Sequence, residues 1–150
     1  PRWNPDARAA FFGLSMRHTR ADVLRAVLEG VAFNLRVILD AFREQGLPVA
    51  AMRLIGGGAQ GRIWRQILAD VFELPIQRPV LLAEATSFGA AVAGGVGVGL
   101  YPDFSVAEQL TPIHDVTQPN PETQAVYRRL YALFNQAYQA FEPLYTALAG

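Results

Sequence analysis

At 150 residues the chain has the length of one domain, and a compact domain of that size buries roughly 70% of the surface its unfolded chain exposes. A hydrophobic content of 51% against 17% charged residues excludes a solvated, disordered tail, and thirteen acidic residues balance thirteen basic ones with no cationic stripe, which argues against a nucleic-acid partner. Every basic residue is arginine and cysteine is absent, so lysine nucleophiles, a phosphate-loop lysine, disulfides and thiolate chemistry are all excluded for this chain.

The absence of cysteine is compatible with a cytoplasmic location. The chain starts Pro1-Arg2-Trp3, without an initiating methionine or a basic-then-apolar leader, and reads as a piece of something longer with no visible targeting segment. His18 and His114 fall in loop-like settings without acid or histidine partners at ligand spacing, so no metal site is expected.

Residues 1–18 read as irregular or extended, punctuated by Pro1, Pro5 and Gly13. Thr19 offers a helix N-cap with Asp22 three positions on, and Leu24, Val27, Leu28, Val31, Leu35, Ile38, Leu39 and Phe42 follow at helical spacing. Gly46 and Pro48 stop that helix, and Met52 to Ile55 is a short apolar run ending in three glycines, as a buried strand would. A second helix carries Ile63, Trp64, Ile67, Leu68 and Val71 on one side with Arg62, Arg65, Gln66 and Glu73 on the other, and Pro75 ends it.

Ile76 to Val80 suits a second strand, held to a short or edge position by Pro79. A third helix starts near Glu84. The uncharged stretch from Ala85 to Pro102 is too rich in glycine for a membrane span and reads as a buried, close-packed helix and turn. Asn120 as cap, Pro121 and Glu122 open a last helix with Val126, Leu130, Leu133, Ala137, Phe141, Leu144 and Leu148 on one face and a bend at Pro143. The class is therefore α/β, two short strands with long flanking helices. Two parallel strands are not self-sufficient, so further strands are expected upstream.

The stretch Leu54 to Trp64 contains Gly56, Gly58 and Gly61 in the spacing G-x-G-x-x-G, and three readings compete for it. A bare turn is the simplest, but each glycine costs on the order of 1 kcal/mol where alanine would be tolerated, and a turn does not require all three. A dinucleotide fingerprint has the right strand-to-helix context, with Glu84 lying 23 positions beyond Gly61 as a ribose-binding acid. Against it stand the prolines of the second strand and the long helix that precedes the motif. The third reading takes in the neighbours as well.

Ala9 to Glu29 meets many constraints at once: a small residue, an apolar residue two on, Gly13-Leu14, a seven-residue gap, Asp22-Val23, then Ala26-Val27-Leu28-Glu29. With W-N-P-D-A-R before it, G-G-G-A-Q-G-R-I-W-R-Q-I-L-A-D-V after it and E-A-T-S-F-G-A-A-V-A-G-G further on, the chain resembles the FGGY carbohydrate kinases over roughly residues 1–147, closest to their xylulose kinase branch. The resemblance implies a partial actin-like ATPase (RNase H-like) domain. Residues 1–150 would be the C-terminal portion of the second, ATP-binding domain, with the sugar-binding N-terminal domain absent.

It further implies ATP with Mg²⁺ as cofactors, a small sugar as substrate, and transfer of the γ-phosphate to a sugar hydroxyl, D-xylulose giving xylulose 5-phosphate. Gly57, Gly58 and Ala59 would lie against the adenine, with Gly61 and Arg62 closing the rim. Relatives usually carry a basic residue and a serine where this chain has Gln60 and Gly61, which removes a charge and a hydroxyl from reach of the nucleotide. The Mg²⁺ ligands, the phosphate hairpins and the catalytic aspartate are not matched, so the chain alone is expected to be inactive.

Asp22 is read as a helix-start residue, Asp70 as solvated or capping, Glu84 as structural support for the third helix, and Glu29 as the partner of Arg25 one turn earlier. The tyrosines of the last helix are read as packing residues. A homodimer is compatible with the chain, and a non-catalytic interaction module using the long last helix is the alternative outside enzymes.

Overall fold

In the computed structural model, residues 4–80 and 84–149 are described. Trp3 and the Leu81-Leu82-Ala83 step that separates the second strand from Glu84 lie outside them. Helix α1 (Arg20–Glu44) begins as expected: the Thr19 hydroxyl accepts from the Asp22 amide, and the Asp22 carboxylate accepts from the Thr19 amide at 2.7 Å. Those hydrogen bonds hold the Asp22 carboxyl below its ordinary range.

Strand β1 (Met52–Arg53) pairs in parallel with β2 (Ile76–Pro79), Met52 opposite Ile76 and Arg53 opposite Gln77. Helix α2 (Arg62–Phe72) is the crossover between them, the arrangement a parallel pair demands. The pairing is shorter than Met52 to Ile55 suggests, although the Leu54 amide still reaches the Gln77 carbonyl at 2.9 Å.

The expectation of two strands is corrected by a third. After α3 (Ala85–Gly97) and the short α4 (Val106–Leu110), β3 (Ile113–Thr117) returns antiparallel to β2, giving the order β1-β2-β3. His114 therefore sits in a strand, not in a loop. Ile113-His-Asp-Val-Thr has only two aliphatic residues, and what fixes it in the sheet is the cross-strand pair Arg78–Asp115, a salt bridge of 2.9 Å that holds the Asp115 carboxyl low. A register irregularity falls at Arg78/Pro79, where proline withholds its ladder donor.

Helix α2 is the hub of the core. Ile67, Leu68 and Val71 are almost wholly buried between α1, the sheet and α5 (Pro121–Ala149), with Phe33, Leu39, Phe72, Ile76 and Tyr127 around them. At its end Glu73 takes a left-handed conformation (φ 57°), and the last carbonyls find cations: Arg36 donates to the Val71 carbonyl and Arg43 to that of Phe72. The Glu73 carboxylate bridges Arg128 of α5 and Arg36 of α1, and these arginines hold its carboxyl below the ordinary range.

Two apolar faces differ from the sequence reading. On α5 the packed residues are Tyr127, Leu130, Tyr131 and Phe134, with Phe33 ringed by three of their aromatic groups, whereas Val126, Leu133, Leu144 and Leu148 are exposed. Aromatic spacing, not aliphatic spacing, marks the buried side. On α1, Leu24, Leu28, Val31, Leu35, Ile38 and Phe42 are exposed. Helix α3, expected to be buried, has only Val92 and Gly95 buried; at Gly95 an added Cβ would stand 2.6 Å from the Tyr101 ring, so that contact requires glycine.

Glu29 does pair with Arg25, at 2.7 Å, and both engage the Tyr127 hydroxyl, which donates to Glu29 at 2.8 Å and accepts from Arg25 at 2.9 Å. Burial pushes the Tyr127 phenol up to about 12 from an ordinary 10. The folded chain thus holds this proton more tightly than the unfolded chain, so its stabilisation is complete below pH 10 and is lost as pH rises through 12. The urea midpoint is expected to fall across that interval, and Tyr127→Phe, which has no proton to lose, should start lower and fall less steeply. Equal slopes in the two proteins would contradict this assignment.

Candidate functional site

The residues singled out at the glycine turn are brought together in one element. The chain leaves β1, reverses at Gly56, makes a single 3-10 turn over Gly57–Gln60, and enters α2 through Gly61, which ends the turn and precedes Arg62. The amides of Ala59 and Gly61 donate to the carbonyls of Gly56 and Gly58 at 3.1 and 3.2 Å.

The three consecutive glycines have different reasons. Gly56 lies at φ 76°, ψ −174°, a region that essentially only glycine occupies. At Gly58 an added Cβ would meet the Trp64 indole at 3.4 Å, an ordinary contact, so the ring lies directly beside the turn. Gly57 has neither constraint: nothing lies within 4 Å of where its Cβ would be, and its φ is not positive. Gly57 and Gly58 are exposed while Ala59 is completely buried, so the turn presents peptide backbone outward.

Arg65 was expected on the polar side of α2, but only 8% of it is exposed. Its guanidinium turns back under the turn, Nη1 donating to the carbonyls of Ala59 at 2.5 Å and Gln60 at 3.1 Å. On its other side Nε lies 3.4 Å from Thr117 Oγ1 and Nη2 lies 3.7 Å from Asp115, both on β3. Its one sequence signal was position: Arg65 is four residues beyond Gly61, one helical turn into α2, within reach of the carbonyls that precede the helix.

Arg62, by contrast, is exposed and among the described residues has no hydrogen bond or ion pair. With Ile63, Gln66 and Arg25 of α1 it lines an open groove of about 410 Å³ at the start of α2. Ile63, read as a core residue, is 66% exposed beside it.

The acidic residues are committed elsewhere. Asp70 is 2% exposed, not solvated, and its Oδ1 accepts from Gln66 Nε2 at 2.8 Å and from the Asn120 amide at 2.7 Å, tying α2 to the start of α5. Asp115 serves Arg78 and Arg65, Glu29 serves Arg25 and Tyr127, and Glu73 serves Arg36 and Arg128. The Glu84 side chain makes no capping hydrogen bond to α3, whose first turn uses the Glu84 carbonyl. Among the described residues no three acidic or histidine side chains gather as a group that could hold a metal ion. The described residues therefore do not by themselves form a Mg²⁺ site.

The family described as FGGY family of carbohydrate kinases, C-terminal domain, matches residues 1–98, which include α1, β1, the glycine turn, α2 and β2. The chain belongs to that family. Its match to the gluconokinase of Bacillus licheniformis is 36% identical and covers 100% of this chain and 29% of the relative. With the xylulose kinase of Staphylococcus epidermidis it shares 32% identity over 96% of this chain and 29% of the relative.

Among solved structures, a glycerol kinase from Plasmodium falciparum, crystallised with ADP, is similar with a TM-score of 0.74 and 28% identity over 93% of this chain and 28% of that one. This FGGY chain thus spans under a third of the length of the kinases it matches. Its small mixed sheet under long helices is part of the actin-like ATPase fold, as the resemblance implied. Among the described residues no helix is long and apolar enough to cross a membrane.

Proposed function

We propose that this chain supplies the adenine-binding part of an ATP-dependent carbohydrate kinase, as the C-terminal portion of its second domain, and that the exposed backbone of Gly57 and Gly58 carries the base while Gly61 and Arg62 form the rim; Ala59, expected against the adenine, is buried and supports the turn from beneath. The observation that carries the reading is Gly57. Glycine there lowers stability relative to alanine through the unfolded chain, by about 0.4–1 kcal/mol, with no positive φ and no neighbour to require it. The bare backbone it leaves suits close approach by a flat base. The exposed apolar residues of α1 and the open outer edge of β1 support the second part of the proposal, in which further strands of the same domain complete the sheet.

The acceptor is a small sugar or polyol hydroxyl. D-xylulose is our specific proposal, supported by the chain's overall resemblance to the xylulose kinase branch; gluconate and glycerol are the rivals that the named relatives supply. The phosphate-binding and catalytic groups, the Mg²⁺ ligands and the sugar-binding domain belong to other parts of the longer polypeptide, which works in the cytoplasm.

Trp64 reports on the base-binding claim. With Trp3→Phe removing the second indole, Trp64 emission is expected to respond to ATP and not to NADH; a response to NADH alone would restore the dinucleotide reading. For activity, the polypeptide that carries this chain is expected to release ADP with D-xylulose in excess of gluconate and glycerol, and this chain by itself to release none.

A further inference from the structure

We propose that Arg65 is the positioning residue of the nucleotide turn: it latches Gly57–Gln60 to strand β3 and so sets the height at which the Gly57–Gly58 backbone meets a purine. This rests on the reading of that turn as the ATP contact. An arginine so deeply buried is costly unless its donors are satisfied, and here they go to two places: the carbonyls of Ala59 and Gln60 on one side, Thr117 and Asp115 on the other.

A flat surface that binds by stacking gains affinity from being rigid before the ligand arrives. The 3-10 turn is held by short-range hydrogen bonds such as those of the Ala59 and Gly61 amides, and a turn that contains Gly57 and Gly58 and follows Gly56 has wide conformational freedom. Arg65 removes that freedom from below, without entering the surface that faces the ligand. Asp115 is in turn fixed by Arg78 of β2 at 2.9 Å, so the latch is anchored in the middle of the sheet. Arg65 does not touch the base in this account; it acts through the turn.

The test uses Arg65→Met, which keeps length and removes the donors, Arg65→Lys, which keeps the charge, and Asp115→Asn, which weakens the far anchor without touching the turn. Thermal unfolding first identifies which variants fold. In each folded variant, amide hydrogen exchange at Ala59 and Gly61 is expected to accelerate at least tenfold, and ATP affinity by Trp64 fluorescence to fall roughly 10- to 100-fold for Met. The Lys and Asn variants should lie between Met and wild type, and Met should discriminate ATP from GTP less well than wild type does. A merely stabilising arginine would lower the unfolding temperature and leave affinity and base preference unchanged. Unaltered exchange at Ala59 and Gly61, or equal ATP affinity in folded variants and wild type, overturns the latch. A wild type that binds no ATP overturns instead the reading of the turn, and the latch's role in nucleotide binding with it.

Discussion

Gly57→Leu is expected to leave the fold and its thermal stability nearly unchanged while weakening ATP binding by roughly 100-fold, because the new side chain would stand where the base must lie. The structure makes the variant selective. Nothing lies within 4 Å of where a Cβ at Gly57 would stand, and the backbone there has no positive φ, so a side chain can leave this position without a clash at Cβ or backbone strain, and it restricts the unfolded chain. Gly56→Ala is the opposite control: at φ 76° and ψ −174° it should cost on the order of 1–3 kcal/mol of stability and affect ATP only through distortion of the turn. Calorimetric unfolding and ATP titration on the two proteins separate ligand contact from backbone geometry. Unchanged ATP affinity in a folded Gly57→Leu protein would contradict the base-stacking role of the turn.

The second large effect is in the hub that holds this turn. Leu68→Ala is expected to cost about 2–5 kcal/mol, lowering the unfolding temperature by on the order of 10 °C, since Leu68 is 1% exposed where α1, the sheet and α5 converge and little can move in to fill the space. Leu148→Ala near the end of α5, read from the sequence as an equally apolar position, should change stability by less than about 0.5 kcal/mol because that side chain is exposed. Thermal melts of the two variants check the contrast. Equal losses would mean that the core is not centred on α2.

That contrast shows where a single sequence stops being informative. Elements set by local rules were legible: the Thr19–Asp22 cap of α1, the strand–glycine–helix order around α2, the Asn120 cap of α5 and the Arg25–Glu29 pair all follow from contacts within about four residues. What depends on distant partners was not. Strand β3 owes its place to Asp115 meeting Arg78, 37 positions away in sequence, and its own residues carry little apolar signal. Asp70 was read as solvated or capping because its second partner, the amide of Asn120, is 50 positions on.

The same holds at the candidate site. Gly57, Gly58, Ala59, Gly61 and Arg62 were named from the family resemblance at a turn that its glycines mark, whereas Arg65 was assigned to the polar side of its helix by periodicity. Periodicity records which side of a helix a residue leaves from, not that a long side chain can curl back beneath the preceding turn. On α1 and α3 the failure is of another kind. The apolar residues are where the pattern put them, but the chain spans under a third of its relatives' length, and pattern alone does not say which apolar faces this stretch can cover for itself.

Photo-labelling with 8-azido-ATP addresses the central claim most directly, because the adenine itself then marks its neighbours. Cleavage after Arg53 and Arg62 releases Leu54 to Arg62 as one peptide, and the account predicts that this peptide or the adjoining Ile63-Trp64-Arg65 takes the label, with unmodified ATP protecting it. Label found only elsewhere in the chain, or label that ATP does not displace, would contradict it.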